Sequence, residues 1–236
     1  MKKAVDFLFL GSLALATPAL GAPINLVTNG DFQAGNTGFS SSYTYAPASN
    51  TTEAQYTVRT DPYPWNGSFI SAGDHTSGTG NMFVGNGSPT AGSLVWGSSA
   101  TISVLPNTDY FFEAWAMNVC CTPNYTGSNS PAILEFAVVG DQSTASLGTI
   151  PTILNPGTWQ FLGTTWNSGA NTSVSLRIIN QNTAVGGNDF ALDDIHFSTE
   201  SSVSVPEPAS LFLSGLGLVA LVMSRRFNRT RQPHET

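Results

Sequence analysis

Between residues 23 and 200 the apolar stretches are no longer than a β-strand, and they recur between turn signals. That rhythm constrains the fold more than any other feature. A chain that never supplies a helix-length amphipathic run builds its core from strands. Candidate strands fall at 25–27, 54–58, 82–84, 93–96, 101–104, 110–117, 133–139, 159–166, 173–180 and 190–197. Turn chemistry separates them at Asn29-Gly30, Asn66-Gly67, Asn86-Gly87, Pro106-Asn107 and Asn155-Pro156-Gly157. Within 173–180, Val174, Leu176 and Ile178 share one face and Ser175, Arg177 and Ile179 the other. One apolar and one more polar face per strand is what a two-sheet β-sandwich needs. The stretches 35–52 and 118–131 read as long loops.

Charge narrows the function. The only lysines are Lys2 and Lys3, and four of the six arginines lie at 225–231. The body keeps Arg59 and Arg177 against twelve carboxylates from Asp31 to Glu200. Such a surface cannot neutralise a row of phosphates, which excludes nucleic acid as a partner. It suits solubility outside the cell, or the binding of cations or neutral polymers. The two cysteines, Cys120 and Cys121, are adjacent and cannot staple distant parts of the fold. They read as two thiols or a vicinal disulfide in a loop.

Both ends read as targeting segments. Lys2 and Lys3 precede an apolar run of ten residues at 7–16, and Ala19 and Gly21 suit signal-peptidase cleavage before Ala22. This predicts a signal peptide at 1–21, a β-sandwich body at 22–198 and a polar linker at 199–205. After the linker come Pro206, Glu207 and Pro208, a mostly apolar run at 209–224, and an arginine cluster starting at Arg225 and Arg226. Sixteen residues of helix reach about 24 Å, a marginal transmembrane span with its arginines on the cytoplasmic side. Pro-Glu-Pro, a short apolar helix and a terminal arginine cluster together resemble the PEP-CTERM sorting signal, here at 206–231. The resemblance implies an exosortase-type membrane protease as partner. It also implies transient anchoring in the inner membrane, then release to the outer surface or the extracellular matrix.

The body opens with Asn25-Leu26-Val27-Thr28-Asn29-Gly30-Asp31-Phe32, carries Trp159-Gln160-Phe161, and closes with Phe190-Ala191-Leu192-Asp193-Asp194-Ile195. This order resembles the jelly-roll carbohydrate-binding modules of the galactose-binding-like type. It implies an all-β jelly roll whose first and last strands lie close together. It also implies a structural calcium, for which the matching residues are Asn29, Asp31, Gln33, Asp193 and Asp194. Gln33 departs from the family's usual acidic residue and offers only a neutral oxygen.

An extracellular polysaccharide is the expected ligand. Sugar C–H faces stack on aromatic rings, and the hydroxyls need amide or carboxylate partners. Alternation in 110–117 places Phe111, Glu113, Trp115 and Met117 on one face. A glutamate between two aromatics suits a groove floor better than a core. Tyr63, Trp65 and Trp96 are further candidates in loops or at strand ends, whereas Trp159 and Phe161 are assigned to the core. Catalysis has little support. Glu113 and Glu135 would make a glycosidase pair only with their strands adjacent, and Asp74-His75 lacks a nucleophile motif. The chain is expected to be a non-enzymatic, exported polysaccharide-binding protein, with a structural matrix protein as the alternative.

Overall fold

A computed structural model describes residues 24–123, 126–127, 129–152 and 155–203. The predicted signal peptide, residues 204–205 of the linker, and the tail with Pro206, Glu207, Pro208, Arg225, Arg226 and the helix at 209–224 lie outside the described residues. The chain divides into two units, Met1–Glu200 and Ser201–Thr236. Among the described residues no helix is long and apolar enough to cross a membrane.

The strands are β1 (Phe39–Ser40), β2 (Thr44–Tyr45), β3 (Gln55–Arg59), β4 (Met82–Asn86), β5 (Ser93–Ser98) and β6 (Ile102–Ser103), followed by β7 (Asp109–Asn118), β8 (Ile133–Gly140), β9 (Thr144–Pro151), β10 (Trp159–Asn167), β11 (Ser173–Asn180) and β12 (Phe190–Ser198). One sheet runs β1-β5-β11-β8-β9, with β6 also paired to β11, and the other runs β10-β7-β12-β4-β3-β2. From β4 onward the chain passes back and forth between them, which makes a jelly-roll β-sandwich. Every pairing is antiparallel except that of β2 with β3.

Three strands lie where the sequence suggests none. β1 and β2 are two-residue edge pairings inside the expected loop at 35–52. β9 is an edge strand with mostly exposed or half-buried residues, so it carries little apolar signal. The expected strand at 25–27 is instead an extended segment. Its Asn25 side chain donates to Ile195 O (2.8 Å) and accepts from Phe197 N (3.0 Å), and Leu26 N donates to Phe197 O. The opening and closing motifs therefore lie side by side. Ile195 N also donates to Gly30 O, and a Cβ at Gly30 would collide with Ile195 O.

The core fills the space between the sheets, with Phe83, Phe112 and Leu192 from one meeting Trp96, Leu134, Phe136, Leu176 and Ile178 from the other. β12 shows how the sequence sets facing. Phe190 and Leu192 point inward, as do Ile195 and Phe197, one residue out of phase. A bulge between Asp193 and His196, with Asp194 at φ 47°, absorbs the extra residue and leaves Asp193 and His196 facing outward. Both sheets and both apolar clusters lie within residues 24–198, so this part carries its own core.

Candidate functional site

The outer face of the second sheet is a grid set by strand register. Phe161 of β10 pairs with Trp115 of β7 and then Asp193 of β12; in the next row Gly163 pairs with Glu113 and His196; in the next Thr165 pairs with Phe111 and Ser198. Toward the other end of these strands, Trp159 pairs with Met117 and Ala191, and Ala191 with Val84. Inward alternation of Tyr110, Phe112, Ala114 and Ala116 on β7, and of Leu162 and Trp166 on β10, forces the intervening residues outward.

The two ends of this face differ. At the Met117 end, residues 60–75 fold over the sheet. Trp65 and Phe69 pack on Met82, Val84, Met117 and Ala191 as a second buried cluster. The cover is hydrogen-bonded down: Trp65 Nε1 donates to Ala46 O (2.7 Å), Ile70 N to Val119 O and Thr122 N to Ser68 O. Phe69 bridges Cys120. Cys120 and Cys121 are joined as a disulfide, with no free cysteine in the chain. A link between neighbours closes no chain loop, so it adds little by the loop-entropy route.

The cover ends at His75. Its ring stacks on Trp115, with centroids 3.8 Å apart, and meets Trp159 edge-on. His75 Nδ1 lies 2.7 Å from Asp194 Oδ2, which also accepts from Thr76 Oγ1. Asp193 Oδ2 accepts His75 N–H and its Oδ1 accepts Asp194 N–H. Burial, with Asp194 beside it, pushes the Asp193 carboxyl up to about 7. Trp159 Nε1 donates to Gly73 O.

Beyond His75 the face is open. Phe161 is 37% exposed, and Phe111 and Trp115 are half-buried. Trp115 meets Phe161 edge-on at 5.5 Å. Phe161 lies against Gly163, where an added Cβ would sit 2.7 Å from the ring. Glu113 is only 2% exposed although it lies on this outer face. His196 beside it is buried and donates from Nε2 to Glu200 O (3.2 Å). The result is a shelf of packed aromatic rings, flanked by His75, with a sheltered carboxylate in the next row.

The structure thus brings Phe111, Glu113 and Trp115 together, as the sequence suggests. It buries Trp65 at 2% exposure inside the cover, so that ring is not a binding surface here, and it leaves Tyr63 half-exposed on the covering segment. The core assignment of Phe161 is corrected: Leu162 and Trp166 take the inward positions, and Phe161 faces out. Trp159 joins the second cluster. Strict alternation through 159–166 contained this signal. The role of His75 had no local signal, because its partners Trp115 and Asp194 are far away in sequence.

Glu113 and Glu135 do not face each other. β7 lies between β10 and β12, β8 between β11 and β9, and both glutamates point outward from opposite sheets. Packed sheets are about 10 Å apart, so these carboxylates are too far apart for the glycosidase separation of about 5–10 Å. Glu135 instead accepts from Ser146 Oγ (2.5 Å) and from Gln181 Nε2.

The five residues matched to a calcium site divide into two hydrogen-bonded sets. In the opening loop Asn29 Nδ2 donates to Gly35 O and Thr37 O while its Oδ1 accepts Ala34 N–H; Asp31 Oδ1 accepts Gln33 N–H, and Gln33 reaches Asn81. Asp193 and Asp194 hold residues 75–76. Among the described residues Asp31, Asp193 and Asp194 do not form a carboxylate group that would hold a metal ion.

Two kinds of comparison place the chain. Its residues 204–226 match the PEP-CTERM protein-sorting motif, which spans the Pro206-Glu207-Pro208 triplet and Arg225-Arg226. The chain is therefore one sorted by export through an exosortase, with membrane-associated processing. No curated protein matches it. Among solved structures, the Stig cyclase Fisc from Fischerella sp. TAU is 13% identical over 74% of this chain and 96% of its own, at a TM-score of 0.51, a likeness of fold. Jelly-roll carbohydrate-binding modules of families 4, 16 and 22 are also among its structural neighbours. The xylan-binding CBM22-1 domain of Paenibacillus barcinonensis Xyn10C is 15% identical over 76% of this chain and 97% of its own, at a TM-score of 0.39. The tailspike protein 4 of bacteriophage CBA120 is 17% identical at a TM-score of 0.45, and there the chain covers 74% of itself but spans only 21% of that protein.

Proposed function

We propose that this exported protein binds a polysaccharide along the open aromatic shelf of its second sheet, without catalysis, at the outer surface of the cell or in the extracellular matrix. The observation that carries the reading is Phe161: an exposed ring seated on Gly163, next to Trp115, whose other neighbour is the stacked His75. The rings are held in place before any ligand arrives, which lowers the ordering cost of binding. Their exposed area suits the C–H face of a sugar, and the exposed Thr165, paired with Phe111, supplies a hydroxyl beside it. Flat, row-like geometry along β7 and β10 suits a chain more than a single ring.

The test is a glycan-array screen of residues 24–203, followed by calorimetry. Saturable binding to one polysaccharide class, lost in Phe161→Ala with the fold retained, supports the proposal. No saturable binding to any glycan returns the protein to a structural matrix role. Calcium at the junction of the opening and closing motifs rests on the family resemblance alone. A rise in melting temperature when millimolar calcium is added to metal-free protein supports it; an unchanged melting temperature removes it.

A further inference from the structure

We propose, resting on the polysaccharide reading of the aromatic shelf, that His75 is its polar anchor and that the shelf takes a neutral glycan whose ring hydroxyl donates to His75 Nε2.

The imidazole is fixed before any ligand arrives. Its ring lies on Trp115, with centroids 3.8 Å and planes 15° apart, and Trp159 meets it edge-on. Its Nδ1 lies 2.7 Å from Asp194 Oδ2, and its backbone N–H donates to Asp193 Oδ2. The turn that carries it is braced from within. The buried Asp74 accepts from Ser77 N–H, Ser77 Oγ and Gly80 N–H, while Gly73 O accepts from Trp159 Nε1. A ring held by both its stack and its Nδ1 keeps one orientation, which lowers the ordering cost of a contact to its other edge.

That edge is Nε2. Among the described residues it has no hydrogen-bond partner, and it is not one of the sealed polar atoms; the side chain is 26% exposed. A carboxylate only accepts, so Nδ1 carries its proton toward Asp194 and Nε2 keeps a lone pair. Strand order gives the direction. Asp194 is on β12, Trp115 on the neighbouring β7, and Phe161 on β10 beyond it. The two ring nitrogens face away from each other, so with Nδ1 turned to β12 the Nε2 edge is turned to β10, the strand of Trp159 and Phe161. A sugar seated on Phe161 then has a fixed acceptor at its edge, and the group that meets an acceptor is a hydroxyl.

Charge sets the sugar class. The body's two arginines are Arg59 on β3 and Arg177 on β11 of the other sheet. Neither lies on β7, β10 or β12, which carry Glu113, Asp193 and Asp194 instead. A uronate or sulfate would meet carboxylates there and no guanidinium, which is repulsive. A neutral sugar meets rings, a threonine hydroxyl and the Nε2 acceptor.

The test is calorimetric titration of residues 24–203 with cellohexaose, xylohexaose, mannohexaose and hexagalacturonate. The expected result is saturable binding of at least one neutral hexasaccharide and none of hexagalacturonate. Two variants then separate an acceptor from a packing ring, with near-UV circular dichroism checking the fold. His75→Phe keeps a ring on Trp115 and removes Nε2, so affinity should fall about tenfold. His75→Gln loses the ring and keeps an oxygen acceptor, so affinity should stay within about threefold of wild type. Equal losses in the two variants, or the reverse order, overturn the assignment of Nε2. Tighter binding in both overturns it too, because His75 would then be occupying the sugar's own place on Trp115. Binding of hexagalacturonate as tight as that of the neutral chains overturns the sugar class. If a neutral chain binds, is lost in Phe161→Ala and is unaffected by His75→Phe, the shelf reading stands and this inference alone falls. If no hexasaccharide binds, both fall together.

Discussion

The two ends of one sheet face carry similar residues and do opposite work. At one end Met117 and Trp159 lie under Trp65 and Phe69 and form a small core outside the main one. At the other, Phe111, Trp115 and Phe161 keep their rings open beyond His75. Strand alternation put both groups on the same face. What separates them is a segment that folds over one group and stops. An outward aromatic is therefore a binding candidate only where nothing else in the chain covers it.

The largest effect that would break this contrast is removal of the cover. Phe69→Ala deletes a fully buried ring, and we expect a loss of about 3–5 kcal/mol in urea unfolding. A loss under about 1 kcal/mol would mean that the second cluster is not a true core. Next is Phe161→Ala on the open side. Stability should change by no more than about 0.5 kcal/mol, while affinity for the cognate polysaccharide falls about tenfold or more. Parallel losses of stability and binding would erase the distinction between the two ends. His75 marks their boundary. His75→Ala removes a stacked pair worth about 0.5–1.5 kcal/mol and leaves Asp194 held by Thr76 Oγ1 alone on that side, so amide exchange should quicken across residues 73–80 while residues 65–70 stay protected.

Acidity tests the boundary more gently. Asp193 and Asp189 are both raised from 3.8 to about 7, first by burial; Asp194 adds to the shift at Asp193, and the Gly87 N–H at Asp189 opposes it. The folded state then holds more protons than the unfolded chain between about pH 4 and pH 7, so stability from these groups falls as pH rises through that window. Melting temperature should decline from pH 5 to pH 8, and Asp189→Asn should flatten the decline. A melting temperature that rises over this range in the wild type would contradict the burial of both carboxyls. The smallest expected effect is that of Gly163→Ala. Its methyl group would meet the Phe161 ring, which can move aside, so binding should weaken a few-fold with the fold unchanged. Unaltered affinity would show that the seating of Phe161 on Gly163 is not part of the site.

Much of this was legible along the chain. Nine of the ten expected strands coincide with observed ones to within a few residues, because the inward residues repeat every second position. The phase slip from Leu192 to Ile195 and the bulge at Asp194 emerged only with the strand pairing. β9 was hidden because an exposed edge strand needs few apolar residues. The binding face was half legible: Phe111, Glu113 and Trp115 follow from alternation on one strand. Trp65 and Phe161 came out reversed, one expected at the surface and found buried, the other expected in the core and found exposed. Glu113 and Glu135 needed the sheet order before they could be placed back to back.

By itself, the sequence determined the all-β class, the inward and outward sets on most strands and the sorting motif at 204–226. These depend on local periodicity, composition and a contiguous motif. Only the tertiary structure decided which outward rings stay open and which carboxylates meet. Covering and pairing are made by residues distant in the chain: residues 60–75 lie over β4, β7 and β12, and His75 lies on Trp115. Burial is a property of what packs against a residue, and alternation says only on which side the packing would have to come.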